Sequence, residues 1–133
     1  MSVDQPEAGS SMFVTKPVVR DRKIRFALVG CGRISANHFD ALDKHADRAE
    51  LVAVCDIDPA ALGRAVTRTG APGFRSLEEL LAGSDPDIVI LATPSGLHAE
   101  QAIAVAESGR HVMTEKPMAT RWQDGLAMVR ACD

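Results

Sequence analysis

Gly30 and Gly32 stand one residue apart, directly after the apolar run IRFALV and directly before the polar stretch that opens Arg33-Ile34-Ser35. Glycines at the point where a strand stops and a helix starts can do two things. Gly30 permits a sharp turn, and Gly32, with no Cβ, lets a bulky anion approach the backbone. The amides of Arg33 and Ile34 would then sit at a helix N-terminus, where unpaired donors and the helix dipole favour a phosphate. The spacing is G-x-G-x-x-S. The dinucleotide fingerprint has Gly or Ala at the last position, and Ser35 departs from it with a side chain still small enough for close packing. Asp56 lies about 20 residues further on, at the end of the second apolar run, LVAVCD. A carboxylate there reaches the hydroxyls of an adenosine ribose. It would also repel a 2′-phosphate, and no arginine follows it directly, so NAD is expected over NADP. Asp58, just before Pro59, is the better helix cap.

Two later segments carry further chemistry. Thr93-Pro94-Ser95-Gly96-Leu97-His98 closes the third apolar run, DIVILA, and Glu115-Lys116-Pro117 follows the fourth, HVMT. Both stand at a carboxyl end, the edge at which open α/β sheets bind ligands. A lysine placed there can share a proton with a reacting hydroxyl. His38, His45 and His111 lie outside these segments and read as structural or exposed. The histidine spacing offers no metal site.

The elements that must hold these residues alternate. After the strand ending at Gly30, a helix is expected from Arg33 to about Ala46, with Phe39, Leu42 and Ala46 on one face. LVAVCD is a strand. A helix capped by Asp58 follows, with Leu62 and Val66 sharing a face. Phe74-Arg75 reads as a brief extra strand. Ser76 with Glu79 three residues on forms a capping box. Ala99, Ala102, Ile103 and Ala106 allow a helix to pack closely on the sheet, and TRWQDGLAMVRACD reads as a last helix with Trp122, Leu126 and Val129 on one side. The strands are continuous apolar runs, so both faces of the sheet are covered. The fold class is α/β: a doubly wound parallel sheet, the Rossmann arrangement. Residues 1–22 read as a flexible tail and 23–133 as the nucleotide-binding domain. No sixth strand is visible, so a fragment of a longer two-domain enzyme is expected.

Composition narrows the partners. The chain has 133 residues, enough for one domain and one core. Its formal charge is −3 and it contains no Tyr. With no basic stripe and few aromatics, nucleic acid is not an expected partner. No apolar run reaches the roughly 20 residues of a membrane helix. Asp4 and Glu7 occupy the place where a signal peptide would be basic. The three cysteines, Cys31, Cys55 and Cys132, show no CxxC spacing and fit reduced thiols in the cytoplasm.

Taken in order, GCGRIS, TPSGLH and EKP make residues 24–133 resemble the N-terminal domain of the Gfo/Idh/MocA oxidoreductase family. The resemblance implies a nicotinamide cofactor. It assigns Gly30, Gly32, Arg33 and Ile34 to its pyrophosphate and Asp56 to its adenosine ribose. It sets Thr93, Pro94, Ser95 and His98 beside its nicotinamide half, with Glu115 also at the site. Lys116 becomes the residue that meets the substrate hydroxyl, and the Lys116–Pro117 bond is implied to be cis. The family's second, mostly β domain follows the Rossmann domain and carries the catalytic histidine, the other substrate contacts and the oligomer interface, so the full-length protein is expected to be a homo-oligomer.

Within the family, GCGRISANH, TPSGLH and TEKPMATRW most resemble sugar-nucleotide dehydrogenases of bacterial surface-polysaccharide synthesis, which oxidise the 3-hydroxyl of UDP-N-acetylglucosaminuronic acid. The implied activity is oxidation of a ring hydroxyl by hydride transfer to NAD. An inositol or other sugar dehydrogenase of the same family remains open. So does a non-catalytic NAD sensor, which would keep Gly30, Gly32 and Asp56 without needing Lys116. A methyltransferase also uses a glycine turn and a second-strand acid, but has no use for TPSGLH and EKP.

Overall fold

Parallel strands covered on both faces need apolar side chains pointing both ways, and the four long apolar runs supply them. The computed structural model of the protein describes residues 18–133. The elements are β1 (Ile24–Val29), α1 (Ser35–Lys44), β2 (Ala49–Cys55), α2 (Pro59–Thr69), β3 (Gly73–Phe74), α3 (Leu77–Gly83), β4 (Ile88–Leu91), a 3₁₀ turn (Ser95–Leu97), α4 (His98–Glu107), β5 (His111–Thr114) and α5 (Trp122–Cys132). The strands form one parallel sheet in the order β3-β2-β1-β4-β5. The chain runs outward from β1 to β3, then returns to the other side of β1 for β4 and β5. The crevice between β1 and β4 is therefore the topological switch point.

Alternate residues of each strand feed two cores. Leu28, Val54 and Ile90 pack with Phe39 of α1 and with Ala61 and Ala65 of α2. Ala27, Val29, Val89 and Leu91 pack on the opposite face with Leu80 of α3, Ala102 and Val105 of α4, and Met128 of α5. This is the doubly wound layering read from the sequence.

The helix ends follow local chemistry. Asp58 accepts the Ala60 N–H at 3.1 Å, Pro59 opens α2, and Gly70 closes it at φ 73°. Ser76 accepts the Glu79 N–H at 3.1 Å, as the capping box requires. The reciprocal arm differs, because the Glu79 carboxylate lies 3.4 Å from the Arg75 amide.

Two expectations need correction. Helix α1 is shorter than the Arg33–Ala46 span, since Arg33 and Ile34 form the turn that enters it and Ala46 lies exposed beyond its end. On α5 the inward residue is Met128, at 4 % exposure. Trp122 and Val129 stand 81 % and 49 % exposed, because α5 meets α4 along a different stripe. Residues 1–17 of the expected tail lie outside the described residues, but its end is anchored. Asp87 accepts Arg22 Nη1 and Nη2 at 2.7 and 2.8 Å and the Arg25 N–H at 2.8 Å. The Arg22 guanidinium above all, with the Arg25 amide, holds the Asp87 carboxyl down at about 2.

Candidate functional site

Sheet register brings the sequence motifs to one edge. Val29 pairs with Cys55 on one side and Leu91 on the other, and Leu91 pairs with Thr114. The residues just past those positions are Gly30, Asp56, Ala92 and Glu115. They are tied laterally: the Gly30 N–H donates to Cys55 O, the Ala92 N–H to Val29 O and the Glu115 N–H to Leu91 O, at 2.8, 2.8 and 3.0 Å. Motifs far apart in the chain thus share the carboxyl edge.

The two turn glycines have different reasons. Gly30 has φ +96°, and a Cβ on it would lie 2.6 Å from the Ala92 carbonyl oxygen. It is there so that the turns after β1 and β4 can touch. A Cβ on Gly32 would meet nothing within 4 Å. That open side borders a cavity of about 380 Å³, lined among others by Arg33, Phe39, Arg64 and Arg68. Among the described residues the amides of Gly32, Arg33 and Ile34 find no acceptor. Free donors at the entry to α1, beside a glycine facing open space, fit a pyrophosphate. Ser35 takes the third-glycine place at 5 % exposure and donates its hydroxyl to Gly32 O at 2.6 Å, so the departure from the fingerprint tightens the turn.

Asp56 is half-buried at the end of β2. Its Oδ2 accepts the Cys31 N–H at 2.8 Å, and its Oδ1 accepts the Asp58 N–H at 2.9 Å. One carboxylate therefore fixes the glycine turn and its own loop, with lone pairs left on both oxygens for ribose hydroxyls. Beside it, Cys31 and Cys55 are buried. Burial first, then the Asp56 charge on Cys31 and the Cys31 charge on Cys55, push the thiols up to about 11 and about 12. They are neutral packing groups, not nucleophiles.

On the other side of the crevice, the Thr93 hydroxyl donates to Gln101 Oε1 of α4 at 2.5 Å. Pro94 leads into the 3₁₀ turn that Ser95 opens. His98 stands behind the same loop. It is 1 % exposed, with Nδ1 3.0 Å from Pro117 O and Nε2 2.8 Å from Thr93 O. A ring buried between two backbone carbonyls ties the Thr93 loop to the Glu115–Pro117 segment. The Lys116–Pro117 bond is cis, and Lys116 is exposed. Glu115 accepts a hydrogen bond from His38 Nε2 at 2.6 Å. Sequence reasoning set His38 aside, because no spacing rule links two residues 77 positions apart.

A second depression, about 470 Å³, lies between Ile24, Asp87 and His111. That is the amino edge, remote from every motif above. Among the described residues no group of three or more His, Cys, Asp or Glu could hold a metal. No helix among them is long and apolar enough to cross a membrane.

The Gfo/Idh/MocA family model, described as an oxidoreductase family with an NAD-binding Rossmann fold, matches residues 24–133. The chain belongs to this family. Among solved Gfo/Idh/MocA-like structures, the WlbA dehydrogenase of Chromobacterium violaceum, in complex with NADH and UDP-GlcNAcA, is 68 % identical. It has a TM-score of 0.89 and the alignment covers 91 % of this chain and 35 % of that one. The WlbA dehydrogenase of Bordetella pertussis, with the same two ligands, is 61 % identical, TM-score 0.86, over 87 % of this chain and 35 % of that one. Inositol 2-dehydrogenase 3 of Saccharopolyspora erythraea is 34 % identical over 81 % of this chain and 32 % of its own length. The chain thus spans about a third of these relatives.

Proposed function

We propose that this chain is the cofactor-binding part of a two-domain NAD-dependent dehydrogenase that oxidises a ring hydroxyl of a sugar nucleotide, with UDP-N-acetylglucosaminuronate, oxidised at its 3-hydroxyl, as substrate. The observation that carries the reading is the identity of more than three fifths with two dehydrogenases bound to NADH and UDP-GlcNAcA. The carboxyl edge supports it, since that edge gathers Gly30, Gly32, Asp56, Thr93 and Lys116. Inositol 2-dehydrogenases are also relatives, but at about half that identity.

Bound NAD would supply the hydride acceptor. The chain's own residues would do the rest. The free amides at Arg33 and Ile34 hold the pyrophosphate, and Gly32 leaves room for it. Asp56 accepts from the adenosine ribose. Thr93, Pro94 and Ser95 border the nicotinamide half. Lys116 would donate to the substrate hydroxyl oxygen and stabilise its developing alkoxide character as the hydroxyl proton passes to the catalytic histidine that the family resemblance places in the second domain.

The test has two arms. This chain is titrated with NAD, NADP and S-adenosylmethionine, and NAD is expected to bind tightest; tighter S-adenosylmethionine binding would overturn the assignment. In the complete enzyme, Lys116→Met is expected to lower kcat about 10²–10⁴-fold with NAD affinity little changed. A Met variant with parental turnover would leave a non-catalytic NAD sensor as the better reading.

A further inference from the structure

We propose that His38 and His98 are positioning residues that clamp the Glu115–Pro117 segment from two helices on opposite faces of the sheet, fixing Lys116 between them. The proposal rests on the reading that Lys116 meets the substrate. Sheet pairing ends at β5, and the Glu115 N–H donating to Leu91 O is the last bond the ladder gives this segment. Beyond it, Lys116 is exposed and makes no side-chain hydrogen bond or ion pair among the described residues. What holds the segment comes from the two histidines. From α1, His38 Nε2 donates to Glu115 Oε1 at 2.6 Å; a carboxylate only accepts, so the proton sits on that ring nitrogen. From α4, the buried His98 ring lies against Pro117 O at 3.0 Å and Thr93 O at 2.8 Å. Lys116 is thus bracketed, its predecessor held through a side chain and its successor through the backbone.

The two anchors also say what the lysine is registered against. Helix α1 begins at the glycine turn, one turn before His38, and Thr93 opens the loop on the far side of the crevice. The clamp therefore sets Lys116 relative to both walls of the cofactor crevice. A misplacement of about 1 Å at a reacting group can cost about 10²-fold in rate.

His98 is so buried that its loss strands a backbone carbonyl and endangers folding, so His38 is the diagnostic arm. In the complete enzyme, His38→Leu removes the donor, and His38→Gln keeps an N–H at similar reach. His38→Leu is expected to lower kcat about 10²-fold, leave the KM for NAD and the Tm close to parental, and speed hydrogen exchange in 114–118. His38→Gln is expected to restore both rate and exchange. Unchanged exchange in 114–118 for His38→Leu overturns the clamp whatever Lys116 does. A loss of Tm and NAD affinity in step with kcat reduces His38 to a structural residue and equally overturns it. If Lys116→Met is harmless while exchange at 114–118 still rises in His38→Leu, the clamp stands and the catalytic reading of Lys116 fails.

Discussion

Replacing Asp56 with alanine removes a carboxylate that serves the fold and, in the function proposed above, the cofactor as well, and the two losses can be measured apart. In the structure Asp56 accepts two backbone amides. The Cys31 amide is part-buried in a residue 7 % exposed, so without Asp56 it is left with poor access to water. A hydrogen bond to a charged group contributes about 1.5–3 kcal/mol. The Asp58 amide is exposed and water replaces its partner, for about 0.5 kcal/mol. Together these give about 2–3.5 kcal/mol. At about 4 °C per kcal/mol for a domain of this size, Tm should fall by about 8–14 °C. Loss of the ribose hydrogen bonds should weaken NAD about 10–100-fold, from the same range of energies. NADP, which the carboxylate repels, should change less, so the preference erodes. Calorimetric titration with both cofactors and a thermal melt measure the two effects. Asp58→Ala is the control: it loses a helix cap worth about 1 kcal/mol and keeps the cofactor preference. If Asp56→Ala melts within about 2 °C of the parent and keeps the parental NAD-to-NADP ratio, both roles assigned to this carboxylate are wrong.

The glycine turn separates in the same way. Gly30→Ala meets the Ala92 carbonyl at 2.6 Å from a φ of +96° and is expected to destabilise by more than about 2 kcal/mol. Gly32→Ala meets nothing and should keep the parental melt while losing NAD affinity; a Gly32→Ala protein that binds NAD like the parent rules out close phosphate approach there. Asp87, held at about 2 against an ordinary 3.8, adds stability that is fully present above about pH 4 and is lost as pH falls toward 2. Asp87→Asn should therefore flatten the acid limb of a denaturation profile, and an unchanged limb counts against the ion pair. With thiols at about 11 and 12, Cys31 and Cys55 should resist a thiol reagent at pH 8 in the native state while exposed Cys132 reacts at once; three equal rates would show that the two are not buried.

The sequence spoke most clearly where the physics is local. A strand buried on both faces must be an uninterrupted apolar run, so the four long strands were visible, and from their alternation with helices the doubly wound sheet followed. Asp58, Pro59 and Ser76 cap helices through neighbours two or three residues away, and these too were readable. The glycine turn was legible because Gly30 and Gly32 answer to backbone sterics within a few residues. What escaped depends on contacts that only tertiary packing creates. His38 meets Glu115 only once α1 and β5 converge on one edge. His98 was legible as part of a motif, but its burial between two carbonyls was not. On α5 the apolar residues Trp122, Leu126 and Val129 are joined by Met128, and periodicity alone does not say which of them α4 will cover. Arg22 carries no local sign of its partner, since a single arginine does not announce a carboxylate 65 positions on.

That anchor fixes an exit direction. Arg22 and the start of β1 are pinned to Asp87 at the amino edge, while the glycine turn, Asp56, Thr93 and Lys116 gather at the carboxyl edge. A tag, dye or surface linker joined ahead of Arg22 therefore leaves the domain on the side away from the crevice. Protein trimmed to Arg22 and tethered to a sensor chip there should present the carboxyl edge to the flowing solution. Lysine coupling risks capturing the domain by Lys116 itself, with that edge turned toward the chip.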